Sequence, residues 1–276
     1  MKIFVSVDAE GMPWAPYKGM MMPGDPLYGE LRRIMTRIVE AFVTAIRDNG
    51  GDMVVVADSH GAMVNLDPFE IGTRAHLVRG FPRPLAMIAG AEGADAAFLV
   101  GYHTSPGVGG VLAHTYAGRI VHRVSVAGED DASEYLLNTL ALAELGVPVA
   151  LVAGDALLRG QVEKYTPNAV FLPLKEPMGS LADKTRPWPE LEAEIKQATA
   201  RALEAVEKGG VPAPEPPSDP TITVDFKRPW HADLATLFPC TERLDGTRVR
   251  LACTRYLENY KLFEGLVIAA YSLERK

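Results

Sequence analysis

The amino-acid sequence predicts an α/β protein built on a mostly parallel β-sheet. Short apolar runs rich in β-branched and aromatic residues occur at residues 3–7, 53–56 and 98–100. They lack polar alternation, which is typical of strands buried on both faces of a parallel sheet. A long amphipathic segment separates the first two runs, as in a βαβ unit with a right-handed crossover. We therefore expect a three-layer domain around this sheet.

The predicted helix of this unit has recognisable ends. Asp25 is a candidate N-cap, and Pro26 suits the first helical position. Gly50 and Gly51 end the helix just before the second strand. Between these limits runs an apolar stripe formed by Leu27, Leu31, Ile34, Ile38, Phe42 and Ile46.

The remaining elements follow from similar signals. Further strands are predicted around residues 76–79, 96–101, 120–126, 147–153 and 169–172. A helix over about 133–145 ends at Gly146, and Asp155 is a candidate N-cap for another. An amphipathic helix over about 189–207 precedes the Pro-rich segment 211–220, which should be extended and semi-rigid. Two strands and one helix complete the chain, at about 221–226, 246–252 and 256–273.

The change of composition in the last third suggests two parts. We predict a larger, mostly parallel α/β domain over residues 1–185 and a smaller α/β portion over residues 186–276. The chain is long enough at 276 residues to bury a substantial core in either arrangement.

Composition narrows the function. The net charge of −7, without a basic block, argues against nucleic acid as a partner. No apolar stretch approaches about 18 residues, so no membrane span is expected. The first strand begins at once and no signal-peptide pattern is present, so we expect a cytoplasmic protein with Cys240 and Cys253 reduced.

Residues that can bind a metal follow each of the three apolar runs. Asp8 and Glu10 follow the first, His60 the second and His103 the third. Functional groups gather at the carboxyl ends of parallel strands, so these side chains should lie close together. If the extended conformation continues, Asp8 and Glu10 leave the same face of the chain. Carboxylate and imidazole are ligands that zinc accepts, and the sequence therefore predicts a metal site.

Glu134 has the same potential, in the first turn of a predicted helix. The helix dipole favours a carboxylate at that position in any case, so the residue alone does not indicate a ligand.

Five ordered motifs carry a resemblance to a known family. They are Ser6-Val7-Asp8-Ala9-Glu10-Gly11, Asp58-Ser59-His60-Gly61 with Asn65, Gly101-Tyr102-His103, Ala113-His114-Thr115, and Glu134 with Leu137-Asn138. Through these motifs the chain resembles the zinc-dependent D-aminopeptidases of bacterial dipeptide-transport operons. The resemblance runs from Met1 to at least Asp155, with weaker similarity up to the last helix.

The resemblance implies a two-zinc peptidase, with Co²⁺ or Mn²⁺ as alternative metals. It implies that metal-bound water removes the N-terminal residue, by family a D-residue, from short peptides, and that subunits form a homo-oligomeric ring. Asp8 would bridge both ions and His114 would be catalytic. Because a bound hydroxide already supplies the nucleophile, we favour proton transfer for His114. The full set of implied ligands is Asp8, Glu10, His60, His103 and Glu134, all within the first predicted domain.

Other functions remain open. A dinuclear amidase or phosphoesterase could use the same metals on a non-peptide substrate. A non-catalytic peptide-binding protein of a transport system is a second alternative. Asp58, Ser59 and His60 have the residue types of a serine hydrolase triad, but adjacent side chains of an extended segment point to opposite faces. Asp58 is better interpreted as a partner that fixes an imidazole tautomer.

Overall fold

The computed structural model describes residues 1–274 and contains two β-sheets with seven α-helices. The strands are β1 (Lys2–Val7), β2 (Met53–Asp58), β3 (His76–Val78), β4 (Ala96–Tyr102), β5 (Val121–Val126), β6 (Val149–Asp155), β7 (Val170–Gly179), β8 (Ala182–Lys184), β9 (Ile222–Phe226), β10 (Thr241–Arg243) and β11 (Arg248–Leu251). The helices are α1 (Tyr28–Asp48), α2 (Pro68–Ile71), α3 (Glu134–Glu144), α4 (Arg159–Tyr165), α5 (Trp188–Glu207), α6 (Pro229–Ala235) and α7 (Tyr256–Tyr271).

The larger sheet has seven strands in the order β3-β2-β1-β4-β6-β7-β8. All neighbouring strands are parallel except β7 and β8, which form an antiparallel hairpin at one edge. The predicted α/β class with a mostly parallel sheet is therefore confirmed. Strand β7 extends beyond its predicted end because its second half pairs with β8.

Both faces of this sheet are covered, as the unbroken apolar runs predict. Along β1, Ile3 and Val5 pack in the core that contains residues of α1 and α5, and Phe4 packs in the core on the other face. All three side chains are fully buried. Complete burial of such a side chain contributes about 1.5–3 kcal/mol, so the central strands hold the two layers of helices together.

The smaller sheet is antiparallel, in the order β10-β11-β9-β5. Its strand β5 comes from the first half of the chain, and α3 packs on both β4 and α7. Helix α5, from the second half, packs on α1 and β7 of the larger sheet. Elements from before residue 185 thus pack with the smaller sheet, and an element from after it packs on the larger sheet. The predicted division into domains at residue 185 stays a prediction.

The predicted start of the first helix was wrong. Helix α1 begins at Tyr28, with Leu27 at the N-cap position and no side-chain cap. The carboxylate of Asp25 instead accepts a hydrogen bond from the amide of Met22, which closes the preceding turn. Leu27 is exposed and does not belong to the buried stripe.

Four short elements lie outside the predicted set, namely β8, β10, α2 and α6. The cysteines are free thiols, as expected. Within residues 1–274, no helix combines the length and the apolar character that crossing a membrane requires.

A buried carboxylate on α7 makes stability depend on pH. Burial, partly offset by Arg83, raises the pKa of Glu264 from 4.5 to about 7. The folded state thus holds this proton more tightly than the unfolded state, and stability should fall as the pH rises from about 4.5 to above 7. We expect Glu264→Gln to flatten this part of the profile, measured by urea unfolding at several pH values. An unchanged slope in the variant would contradict this assignment.

Candidate metal centre

Four of the predicted site residues, Asp8, Glu10, His60 and His103, follow the carboxyl ends of three adjacent strands. In the register of the sheet, Val7 of β1 lies opposite Asp58 of β2 and Val100 of β4. The amide of Asp8 donates to the carbonyl of Val100, so the chain leaves β1 directly beside β4. His103 follows β4 by one residue. The strand ends therefore bring the ligand-type side chains to one edge.

The extended conformation does not continue to Glu10, so that part of the expectation was wrong. The chain turns after Asp8, and the amide of Gly11 donates to the carbonyl of Gly101. A Cβ at Gly11 would lie 2.0 Å from the carbonyl oxygen of Tyr102, so only glycine permits this approach. The turn against β4, not strand alternation, aims Glu10 at the same site as Asp8.

One group of the centre consists of Asp8, Glu10 and His60. Nδ1 of His60 lies 3.4 Å from Oδ1 of Asp8 and 3.0 Å from Oε2 of Glu10. The candidate ligand atoms of this group all lie within 4.8 Å of one another. This spacing allows one cation to contact all three side chains.

The second group consists of His103, His114 and Glu134, again within 4.8 Å. Nε2 of His103 and Nε2 of His114 lie 3.6 Å and 3.8 Å from Oε1 of Glu134. Asp8 connects the groups, because its Oδ2 lies 3.5 Å from Nε2 of His103. All six residues singled out in the sequence are thus brought together.

Backbone carbonyls orient the three imidazoles. Nε2 of His60 lies 2.8 Å from the carbonyl of Met21, Nδ1 of His103 lies 3.0 Å from its neighbour's carbonyl, and Nδ1 of His114 lies 2.8 Å from that of Leu112. A ring nitrogen facing a carbonyl must donate a hydrogen. The other nitrogen of each neutral ring is then an acceptor, and in all three cases it faces the carboxylates. This is the orientation that metal-binding histidines adopt.

The residues fit a metal. Within the described part of the chain, three buried atoms facing the cluster have no hydrogen-bond partner, namely Oδ2 of Asp8, Oε2 of Glu10 and Nε2 of His103. Buried polar atoms without partners are costly, and native proteins rarely leave them so. Bonds to a cation would satisfy all three.

Burial and neighbouring charges shift the pKa values of the groups in this cluster. Burial, with Glu10 and Glu134 nearby, raises the pKa of Asp8 to about 7. Burial alone would raise the pKa of Glu10, but adjacent His60 holds it well below its ordinary value. Burial opposes a charge on His103, yet Glu134 and Asp8 raise its pKa to about 10. The buried carboxylates therefore need positive charge beside them, which divalent cations would supply.

His114 lies in the loop between β4 and β5 and is the accessible member of the set. Its side chain is 24% exposed, whereas those of the other five are at most 7% exposed. Leu112 and Tyr116 flank it in the left-handed conformation, with φ of 55° and 59°. Such a conformation costs about 1–3 kcal/mol for a residue other than glycine. The loop is therefore held in a strained shape around the most exposed of the six residues.

Comparison with known proteins shows the family to which the chain belongs. A family model described as D-aminopeptidase matches residues 1–265. This chain belongs to the D-aminopeptidase family. The D-aminopeptidase of Bacillus subtilis (strain 168) is 28% identical over 263 residues, which are 95% of this chain and 94% of that protein. The solved structure of the Zn-dependent D-aminopeptidase DppA from Bacillus subtilis, described as a self-compartmentalizing protease, is 28% identical with a TM-score of 0.92 and covers 98% of both chains.

In this D-aminopeptidase family member, Asp58 supports the turn that carries His60. Its carboxylate accepts hydrogen bonds from the amide and side-chain nitrogens of Asn65, and Asn65 Nδ2 also donates to the carbonyl of His60. The expectation that Asp58 fixes an imidazole tautomer was wrong, because Met21 does this for His60. Ser59 Oγ turns away toward Met87, as expected for a residue outside any triad.

Sequence patterns could not reveal several supporting groups of this family member. The carbonyls of Met21, Thr104 and Leu112 act through the backbone, which leaves no residue signature. Lys175, fully buried at the carboxyl half of β7, donates to the carbonyl of Ala15 in the loop after Glu10. The one sequence signal for this contact was the position of Lys175 directly after the apolar run 170–174.

Replacement of Asp58 by asparagine should weaken metal binding. The carboxylate accepts three N–H groups of Asn65 and Leu66, one at Oδ1 and two at Oδ2. An amide nitrogen in place of either oxygen would face at least one of these donors, and the turn carrying His60 would shift. We expect zinc affinity to fall about tenfold, measured by equilibrium dialysis. Asp67→Asn is the matched control, because Asp67 makes a cap for the short helix α2. Equal affinities of Asp58→Asn and wild type would contradict the supporting role.

Proposed function

We propose that this protein is a zinc-dependent D-aminopeptidase that removes the N-terminal residue from short peptides. The single observation that carries the proposal is the convergence of three carbonyl-oriented imidazoles and three buried carboxylates on one edge of the sheet. The family match and the described zinc dependence and activity of the Bacillus subtilis relative support it.

Two cations would be held by five residues of this chain. Glu10 and His60 would hold one ion, His103 and Glu134 the other, and Asp8 would contact both. This division follows the two groups and the position of Asp8 between them. His114, which belongs to the second group, is left out because the resemblance implies a catalytic role for it. When bound, two zinc ions would lower the pKa of a coordinated water and polarise the peptide carbonyl.

His114 is proposed to move a proton at its Nε2 atom. Its Nδ1–H donates to the carbonyl of Leu112, so Nε2 of the neutral ring can accept a proton. Nε2 lies 3.8 Å from carboxylate oxygens of both Glu10 and Glu134. The ring could then pass this proton to the leaving amine. Its exposure gives a bound peptide access to this atom.

Assembly and location are part of the same proposal. We propose that subunits form a closed homo-oligomeric ring, because the Bacillus subtilis relative is described as self-compartmentalizing. An enclosed site would admit short peptides and exclude folded proteins. The preference for D-residues rests on the family, and the cytoplasmic location and the Co²⁺ or Mn²⁺ alternatives stay predictions.

Removal of metal should abolish hydrolysis. We expect dialysis against a chelator to stop cleavage of D-alanyl dipeptides, and added Zn²⁺, Co²⁺ or Mn²⁺ to restore it, because the cluster then regains its cations. The assay should run D- and L-dipeptides, amino acid amides and a phosphate ester in parallel. Cleavage of the amide or ester alone would replace the peptidase by the corresponding hydrolase. Full activity in a verified metal-free preparation would refute the proposal.

His114→Ala should separate catalysis from metal binding. We expect this variant to keep two zinc ions per subunit and to lose most of the rate, on the order of 10²–10⁴-fold, as removal of a general acid–base does. Metal analysis and kcat measured on the same sample test this. Loss of one zinc ion in the variant would show that His114 is a ligand.

A further inference from the structure

A network of buried hydroxyl and amide groups connects α7 to β1 and takes no part in the proposed reaction. The hydroxyl of Tyr260, on α7, donates to Oδ1 of Asn138 at 2.6 Å. Nδ2 of Asn138 donates to the hydroxyl of Tyr102 at 2.9 Å, and that hydroxyl lies 2.7 Å from Oγ of Ser6. All four residues are fully buried. This network of hydrogen bonds thus begins on the C-terminal helix α7 and ends on the first strand β1.

Three members of this network lie close in sequence to a residue of the centre. Asn138 is one helical turn beyond Glu134, Tyr102 directly precedes His103, and Ser6 lies two residues before Asp8. A shift of any of these neighbours would move a proposed ligand, because the strand ends and the first turn of α3 are continuous with them.

A second branch reaches the loop that carries His114. The hydroxyl of Tyr116 donates to the hydroxyl of Tyr260 at 2.7 Å, and its ring packs edge-on against Phe263, 5.0 Å between centroids. The backbone amide of Tyr116 donates to Oε1 of Glu134 at 2.7 Å. Tyr116 is one of the two left-handed residues around His114. Contacts with α7 therefore stabilise the strained conformation of Tyr116, and the amide of Tyr116 in turn binds the proposed ligand Glu134.

We infer that Tyr260 is a positioning residue for the metal centre, acting through Asn138 and Tyr116 on the group formed by His103, His114 and Glu134. Within the described residues, the hydroxyl of Tyr260 makes no hydrogen bond to a proposed ligand, so its effect is transmitted through Asn138 and Tyr116. The inference rests on the proposed function, since it concerns how the bound cations are held. The C-terminal helix α7 would then help to position a metal site whose proposed ligands all come before residue 135.

The test compares Tyr260→Phe with Tyr256→Phe in the full-length protein. Tyr256 lies one turn earlier on α7, is also buried, and donates its hydroxyl hydrogen bond to the carbonyl of Leu137. Each variant loses one buried hydroxyl from the same helix, and thermal unfolding checks that the stability losses match. Stepwise zinc binding is then measured by equilibrium dialysis, independently of activity.

We expect wild type and Tyr256→Phe to bind two zinc ions alike, and Tyr260→Phe to bind one of the two about tenfold more weakly. Tyr116→Phe removes the hydrogen bond between the hydroxyls of Tyr116 and Tyr260. It should show the same selective loss even where Tyr260→Phe fails to fold. If Tyr116→Phe and Tyr260→Phe bind zinc as tightly as Tyr256→Phe does, the positioning role of Tyr260 is overturned and the proposed function is not affected. A wild-type protein that takes up no zinc would overturn the proposed function as well.

Discussion

Three carboxylates, those of Asp8, Glu10 and Glu134, lie buried side by side at the carboxyl edge of the sheet. Taking one such group from water is costly, and mutual repulsion adds to the cost for three. Positive charge beside them is therefore a condition for this arrangement to persist. The imidazoles of His60 and His103 face them directly, and protons or metal cations on this set provide the required charge.

The fold meets this condition by placing rigid elements around the cluster. Adjacent parallel strands end in register, so Asp8 and His103 are fixed by the hydrogen bonds of the sheet. Glu134 sits in the first turn of α3, where Ser133 caps the helix and the dipole favours a negative charge. The more exposed His114 is carried by a loop, and that loop is held by α3 and α7. His114 is thus both partly exposed and carried by a loop that hydrogen bonds fix in place.

Much of this could be predicted from the sequence, because burial of both sheet faces leaves a simple signal. The apolar runs that end in Asp8, His60 and His103 locate the strands and the edge where these side chains meet. The α/β class follows from the same runs. His114 and Glu134, in contrast, came from the resemblance, since a loop histidine and a first-turn glutamate have common structural explanations.

The rest depends on tertiary contacts that leave no local pattern. Strand β5 pairs with β9, about 100 residues later, and its apolar residues alone do not distinguish this from a place in the larger sheet. The turn that redirects Glu10 depends on the close approach of Gly11 to Tyr102. The start of α1 shows the limit of capping signals, because Asp25 closes the preceding turn instead.

The buried carboxylates and imidazoles are proposed to hold two cations that share Asp8. Anomalous diffraction at the zinc edge, from crystals grown with Zn²⁺, would locate these cations. We expect two strong peaks, one beside Glu10 and His60 and one beside His103 and Glu134, with Asp8 in contact with both. A single peak away from Asp8, or no peak at this edge of the sheet, would contradict it.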